Sequence, residues 1–364
     1  MSSISHDVVP IWSWAAPAAA GVLLGLKFAG VLPADGTLVL ALAALLLGAA
    51  VFASVHHAEV LALRLGEPFG AILLALAVTV IEVALIVSIM LSGAENSATV
   101  ARDTVFATVM IVLNLVVGSC LVLGGRRHHE QSFQLEGASA SLAVLGTLAT
   151  FALVLPNHTQ ALPGPQYSPA QLIFVGALSL VLYLVFVFVQ TVRHRDYFLE
   201  APADGEEPHV RPSTRVTTAS GLLLMLSLAA VVLLAKVLSQ PLDQAIAAAG
   251  LPRAFVGVVI AALVLLPESI AAVKSALHNR LQNSINLALG SALATIGLTI
   301  PAVAAVSRLL DQPLVLGVSA EGTVLLVLTL FASTLTLGTG RTTVLQGTVH
   351  LVIGAVFLLL SAIP

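Results

Sequence analysis

Eleven stretches of 18 or more mostly apolar residues follow one another along this 364-residue chain, and they limit its possible folds more than any other feature. Such stretches are typical of membrane-spanning helices, because about 20 apolar residues in a helix cross the hydrocarbon core of a bilayer. Only 9% of the residues are charged, whereas soluble domains carry about 25%. The sequence therefore predicts an all-α integral membrane protein with about eleven transmembrane helices. The predicted spans are 15–32, 36–55, 69–92, 102–124, 138–155, 169–192, 216–238, 252–275, 283–307, 318–338 and 343–362.

The basic residues are unevenly distributed between the two sides that eleven crossings define. Ten of them fall on the side that holds the N-terminus and five on the other side. Cytoplasmic loops carry an excess of Lys and Arg, so this bias predicts a cytoplasmic N-terminus and a C-terminus outside. The net charge of −3 gives no indication of a nucleic-acid partner, and the partner that the sequence predicts is the lipid bilayer.

Two carboxylates lie inside predicted spans at matching positions. Glu82 follows Phe69 by 13 residues, and Glu268 follows Phe255 by 13 residues in a helix five spans further on. A charge at membrane depth costs at least about 2.5–3 kcal/mol, so each glutamate is expected to face a polar path. A buried carboxyl that is hydrogen-bonded to another helix is the alternative. Because a shift of five spans reverses the direction of a helix, the matching positions indicate an inverted repeat, whose ion sites lie at the repeat interface.

The longest polar connection agrees with a division into two halves. We predict an N-terminal segment with the first helix at 1–35, a first repeat of helices 2–6 at 36–192, a charged cytoplasmic linker at 193–215, and a second repeat of helices 7–11 at 216–364. The linker has no calcium-loop spacing, so a solvated linker is favoured over a regulatory calcium site.

Two facing glutamates form a site for either a divalent cation or protons. Ca²⁺ prefers several oxygen ligands, and two carboxylates neutralise one Ca²⁺. Without the cation, two carboxylates in a low dielectric resist ionising together, so protons are the natural counter-ligand. A site that holds one or the other is an exchanger, and its titration belongs to the pair.

Spans four and nine supply candidate neutral ligands. Span four offers Asn114, and span nine offers Asn286, Ser291 and Thr295. Ser and Thr hydroxyls also donate to carbonyls of their own helix, which is the plainer interpretation for those two side chains. An asparagine amide in a membrane needs polar partners, so the two asparagines are stronger candidates.

Three segments of the chain resemble a known family. They are residues 59–67 with Glu82 following, residues 267–269 with 286–301 following, and residues 340–347. Together they resemble the calcium/proton exchangers of the cation/calcium exchanger superfamily, and are most similar to the bacterial ChaA-type calcium/proton antiporters. The resemblance covers roughly residues 56–350.

The resemblance implies an eleven-span fold with two inverted five-helix repeats after an extra N-terminal helix. It also implies secondary active exchange of Ca²⁺ for H⁺ by alternating access in a bacterial inner membrane, with Glu82 and Glu268 as the shared ligands and no cofactor. Exchange of Na⁺ or K⁺ for H⁺ on the same scaffold is the alternative, because ChaA-like members vary in this way.

The sequence departs from the family pattern at several amide positions. Many relatives carry Gly-Asn where this chain has Val78 and Thr79, Asn where it has Leu265, and Gln where it has Ala294. These departures leave the exchanger class intact and leave the transported cation open. Thr79 retains one hydroxyl oxygen, and Pro267 is expected to interrupt its helix and free a carbonyl.

Glu59, His56 and His57 are candidate entrance or regulatory residues. Histidine titrates near neutral pH, so this pair could sense pH, although ordinary interfacial histidines are the more common case. Glu59 is either an entrance ligand or a helix-end charge paired with Arg64. The sequence shows no metalloprotease or diphosphate motif, so an enzyme is not predicted. A structural protein would not need matched intramembrane glutamates, and an inverted repeat suits an alternating-access transporter better than a channel.

Overall fold

The computed structural model of the protein describes residues 9–32, 36–66, 69–92, 97–199 and 212–364. Among these residues, eleven helices are long and apolar enough to cross a membrane. They are α1 (Ile11–Phe28), α2 (Thr37–Leu65), α3 (Phe69–Met90), α4 (Val100–His128), α5 (Leu135–His158), α6 (Pro169–Arg193), α7 (Thr214–Ala248), α8 (Phe255–Leu277), α9 (Leu281–Leu309), α10 (Ala320–Leu337) and α11 (Val344–Ala362). The predicted all-α membrane fold and its eleven spans are thereby confirmed.

Boundaries of three predicted spans were wrong, at both ends of α1 and at the ends of α2 and α7. Helix α1 begins and ends four residues earlier than predicted, because Gly30 has φ +72° and turns the chain. Helices α2 and α7 each continue ten residues beyond the predicted end, to Leu65 and Ala248. Polar residues end the apolar run of α2, but Ala, Leu, Glu and Arg continue the helix as far as Gly66, which has φ +69°.

Part of the predicted linker and some quoted segments fall outside the described residues. These are the N-terminal residues 1–8, the turn residues 33–35, Glu67 of the first family segment, and the linker residues 200–211 with their four acidic side chains. The described part of the linker includes a short 3₁₀ turn at Arg195–Tyr197.

Four of the helices contain a π-helical segment. Two of these segments lie in α4 and α9, at Ile111–Val116 and Thr295–Thr299, and the others lie in α5 and α6. A π segment inserts an extra residue into the turn and is frequent at functional sites. By contrast, α8 runs unbroken from Phe255 to Leu277 with Pro267 inside it. The helix is therefore not interrupted at Pro267, although the missing N–H of the proline still leaves the carbonyl one turn earlier without its helical donor.

The helices form two compact units, each of which combines helices from both predicted repeats. The first unit contains α1–α3 and most of α7, and the second contains α4–α6 and α8–α11. In the first unit, buried Ala58, Ala77 and Leu224 bring α2, α3 and α7 together. In the second unit, α4 packs against α8, α9 and α11.

Contacts between loops obey the alternation that eleven crossings require. After α4, strand β1 (Gln131–Ser132) pairs antiparallel with strand β2 (Arg341–Thr342), which precedes α11. The Gln131 side chain also donates to the carbonyl of Ala276, at the end of α8, at 3.0 Å. Among the connections that follow an odd number of spans, Asn157 at the end of α5 donates to the carbonyl of Val318, which precedes α10, at 2.7 Å. Loops separated by an even number of spans thus meet each other within the second unit.

Candidate functional site

The two intramembrane glutamates occupy the same position in their helices. Helix α3 begins at Phe69 and α8 begins at Phe255, so Glu82 and Glu268 are each the fourteenth residue of a helix. Glu82 is 1% exposed, and Glu268 is half-buried. Glu82 belongs to the first unit and Glu268 to the second. The matched register that the sequence indicates is therefore also a matched depth from the helix start.

In the first unit, Thr79 lies one turn before Glu82 and is buried with it. Its hydroxyl donates to the carbonyl of Ala75 at 2.8 Å, which is the common back-bond of threonine in helices. The oxygen keeps lone pairs after donating its proton. Near the start of the same helix, Gly70 lies against α2, because a Cβ there would be 2.6 Å from the carbonyl oxygen of Ala62. The glutamate helix is thus held closely against α2.

The histidines singled out in the sequence lie where α1 contacts α2. The fully buried His57 makes a hydrogen bond from Nε2 to the carbonyl of Ser13 at 3.1 Å. The ring of His56 lies 5.1 Å from the ring of Trp12, centroid to centroid. Glu59, on the same helix, is exposed at the surface. The pair therefore attaches the extra N-terminal helix to α2, and a role in pH sensing stays a prediction.

In the second unit, α8 and α9 form an antiparallel hairpin whose register is set by one hydrogen bond. Ser284 donates to the carbonyl of Ala272 at 2.7 Å. Counting one turn back along α8 and one turn on along α9 places Glu268 level with residue 288, within one turn of Ser291. The hydroxyl oxygen of Ser291 is buried and makes no hydrogen bond to the described residues. A buried hydroxyl without a protein partner is a good candidate ligand, because burying it unsatisfied is costly.

The other two candidates on α9 are placed differently. The Asn286 amide donates to the carbonyl of Phe198 at 2.5 Å and accepts from Gln282 at 3.0 Å. Its nitrogen thus holds the chain after α6 against α9, and its oxygen accepts from a side chain one turn earlier in α9. Thr295 is buried and is the first residue of the π segment of α9.

Helix α8 lies unusually close to α4. A Cβ at Gly257 would be 2.5 Å from the carbonyl carbon of Asp103 and 2.7 Å from the backbone nitrogen of Thr104. Asp103 is itself paired with Arg102 at 2.7 Å. Gly257 and Glu268 are 11 residues apart, about three turns, so they share a face of α8. The face that carries Glu268 is therefore the one packed against α4.

Asn114, on the π segment of α4, is part of a buried polar cluster. Its Nδ2 donates to the hydroxyl of Thr329 on α10 at 3.0 Å, and its Oδ1 lies 3.3 Å from Nδ1 of His350 on α11. His350 Nε2 lies 3.1 Å from the hydroxyl of Thr336. The four residues are between 0% and 4% exposed. Sequence reasoning missed His350, and its signal was a histidine between two glycines, Gly347 and Gly354, on one face of the last span.

Comparison with known proteins shows the family to which the chain belongs. The family of sodium/calcium exchanger proteins matches residues 36–192 and 219–363. The chain belongs to this family of membrane transporters, whose members carry cations such as Ca²⁺, H⁺, Na⁺ or K⁺ across membranes.

Two relatives and one solved structure are similar to this chain over most of its length. The chain is 61% identical to a putative ionic transporter, y4hA, of Sinorhizobium fredii, over 98% of this chain and 97% of the relative. It is 37% identical to the sodium-potassium/proton antiporter ChaA of Escherichia coli, over 85% of this chain and 84% of that protein. The crystal structure of the Ca²⁺/H⁺ antiporter protein YfkE has a similar fold, with a TM-score of 0.72 at 14% identity, covering 97% of this chain and 99% of the other.

Proposed function

We propose that this protein is a secondary active antiporter that exchanges Ca²⁺ for H⁺ by alternating access, with Glu82 and Glu268 shared by the cation and the protons. The observation that carries the proposal is the matched pair of carboxylates, each fourteenth in its helix. One glutamate lies in each of the two segments that the family matches. Such a pair is what an inverted repeat contributes to a central ion site.

Calcium is favoured by the charge of the proposed ligands. Two carboxylates balance one divalent cation, and Ca²⁺ takes six to eight oxygens in a flexible arrangement. Ser291 supports the proposal from the second unit, since its buried hydroxyl is within one turn of the level of Glu268 and makes no hydrogen bond to the described residues. Asn114, Thr295, Asn286 and Thr79 are further proposed neutral ligands. The engaged amide of Asn286 makes it the weakest of these.

A second candidate function is exchange of Na⁺ or K⁺ for H⁺. The observation that favours it is the relative from Escherichia coli, 37% identical and named a sodium-potassium/proton antiporter. The departures Thr79 and Leu265, where many calcium exchangers carry amides, agree with a site that has fewer neutral oxygens. The same two glutamates would then exchange protons for monovalent cations.

We propose a bacterial inner membrane as the location, with a cytoplasmic N-terminus, an outside C-terminus, and repeats at 36–192 and 216–364. The excess of basic residues on the N-terminal side supports the orientation. The pairing of β1 with β2 supports the alternation of sides on which that count depends, because the loops after α4 and before α11 meet.

The proposal is tested by dye-reported ΔpH in everted vesicles that are first made acid inside and then given CaCl₂, NaCl or KCl. Wild type is compared at equal expression with Glu82→Gln and Glu268→Gln. Glu136→Gln is the matched control, because it makes the same chemical change at an exposed residue in the first turn of α5. We expect CaCl₂ to collapse the gradient in wild type and in the control, and to fail in both intramembrane variants.

Other outcomes separate the alternatives. A response to NaCl or KCl alone supports the monovalent exchanger on the same scaffold. If no cation acts on wild type, or if both intramembrane variants respond like wild type, the mechanism of two shared glutamates is refuted.

A further inference from the structure

Helix α11 contacts α4 through three residues on one face. Gly347, His350 and Gly354 are spaced by three and four residues, which places them in one stripe along the helix. A Cβ at Gly347 would lie 2.7 Å from Cβ of Leu121, and one at Gly354 would lie 2.5 Å from Cδ2 of Leu115. The backbones of the two helices therefore approach closely at Gly347, the Leu115 side chain lies against Gly354, and His350 lies between these two contacts.

The hydrogen bonds of His350 assign a direction to the Asn114 amide. Because Nδ2 of Asn114 donates to Thr329 at 3.0 Å, Oδ1 is the atom that faces His350. Oδ1 can only accept, so Nδ1 of His350 carries the proton and donates at 3.3 Å. Nε2 then accepts from the hydroxyl of Thr336 at 3.1 Å. Each partner agrees with the next, and a reversed amide would require the Thr329 hydroxyl to give up its bond to the Met110 sulfur at 3.5 Å and His350 to adopt the other tautomer.

The direction of this amide matters because of where Asn114 lies. The π segment that carries it packs against α8 and α9 as well as against α10 and α11. An amide oxygen has two acceptor positions, and His350 occupies one of them. The second is available to a cation, whereas the NH₂ group of a reversed amide would repel it.

We propose that His350 is a positioning residue that holds the Asn114 carbonyl oxygen in the orientation that a transported cation requires. This inference rests on the proposed function, in which Asn114 is a neutral ligand. His350 acts through Asn114 and so sets cation affinity without touching the cation.

The test measures the cation concentration for half-maximal ΔpH collapse and the maximal rate, in vesicles with quantified protein. His350→Leu removes the donor and should raise the half-maximal concentration about 3- to 10-fold, the range expected for one hydrogen bond, with a largely retained maximal rate. His350→Asn puts an N–H near the position of Nδ1 and should restore much of the affinity. His350→Gln reaches only the position of Nε2 and should not. His158→Asn, at an exposed loop histidine, should match wild type.

A double-mutant cycle separates positioning from a packing effect. In an Asn114→Ala background, His350→Leu should cause no further loss of affinity, because the group it positions is absent. If His350→Leu fails to fold, Thr329→Val provides the same test from the other end of the amide. The inference is overturned if the half-maximal concentration stays within two-fold of wild type, or if it rises equally in both backgrounds.

The same vesicles distinguish this inference from the proposed function. If Glu268→Gln abolishes exchange while the His350 variants keep wild-type affinity, the positioning role alone is refuted. If Glu268→Gln exchanges normally, the two-glutamate mechanism is refuted. The positioning role of His350 is then decided by the double-mutant cycle between positions 350 and 114 alone.

Discussion

The close packing of α8 on α4 leads to a prediction for the substitution Gly257→Ala. The new Cβ would lie 2.5 Å from the carbonyl carbon of Asp103 and 2.8 Å from its Cβ, whereas ordinary contacts begin near 3.4 Å. The helices must therefore separate by roughly 0.9 Å, the difference between those two distances. Such overpacking costs about 1–3 kcal/mol, offset by about 1 kcal/mol from the better helix propensity of alanine.

The consequence for transport is larger than the consequence for stability. Gly257 and Glu268 share a face of α8, so a separation at Gly257 also displaces the carboxylate. Misplacement of a functional group by about 1 Å can cost up to 100-fold, and we expect the half-maximal cation concentration to rise about 10-fold or more. Purified Gly257→Ala should also unfold at a lower temperature than wild type.

Gly25→Ala is the matched control, because nothing lies within 4 Å of a Cβ at that position in α1. It should unfold at the same or a slightly higher temperature and transport like wild type. The reasoning is refuted if Gly257→Ala shows the wild-type unfolding temperature and cation affinity, since both effects follow from one backbone contact.

Two further substitutions test two hydroxyls, one without a hydrogen bond to the described residues and one that donates to its own helix. Ser291→Ala should lower cation affinity without lowering the unfolding temperature, because it removes a buried hydroxyl that makes no hydrogen bond to the described residues; an unchanged affinity would remove Ser291 from the ligand set. Thr79→Val should also lower cation affinity, because the hydroxyl oxygen keeps lone pairs for a cation while its proton is donated to Ala75 at 2.8 Å; an unchanged affinity in a titration of Ca²⁺ would remove Thr79 from the ligand set.

Hydropathy and spacing predicted the parts of the fold that depend on burial in lipid. The eleven spans follow from apolar length, and the matched positions of Glu82 and Glu268 follow from counting residues from a phenylalanine. The structure adds that both phenylalanines are the first residues of their helices. This agreement arises because helix geometry converts equal spacing directly into equal depth.

Helix ends and helix irregularities were harder to predict. The apolar run of α7 ends near residue 238, but the helix continues through Pro241 to Ala248. Hydropathy measures contact with lipid, whereas the helix ends where backbone hydrogen bonding ends. The π segments at Ile111–Val116 and Thr295–Thr299 contain polar residues such as Asn114 and Thr295, but a polar residue in an apolar span does not by itself predict a π turn. Pro267, which carries the usual signal for a break, lies inside a continuous helix.

For the candidate ligands, too, the sequence predicted some properties and not others. Sequence reasoning selected polar atoms in the membrane, and Asn114, Asn286, Ser291 and Thr295 are polar residues in membrane helices as expected. It could not show which atoms are already engaged. Asn286 is held by Phe198 and Gln282, and Asn114 is held by residues of α10 and α11. Phe198 is 88 positions from Asn286, and the partners of Asn114 are 215 and 236 positions away, beyond any local pattern.

The distance along the chain between Asn114 and His350 bears on how the protein is made. The two residues are 236 positions apart, and bacterial and other ribosomes add about 5–20 residues per second. After α4 is synthesised, roughly 10–50 s therefore pass before the histidine exists. During that interval the amide has the sulfur of Met110 within 3.9 Å in its own helix, a weak acceptor that needs no later helix. The arrangement around Asn114 is therefore complete only after α11 has been synthesised, so this part of the interior assembles late relative to α4.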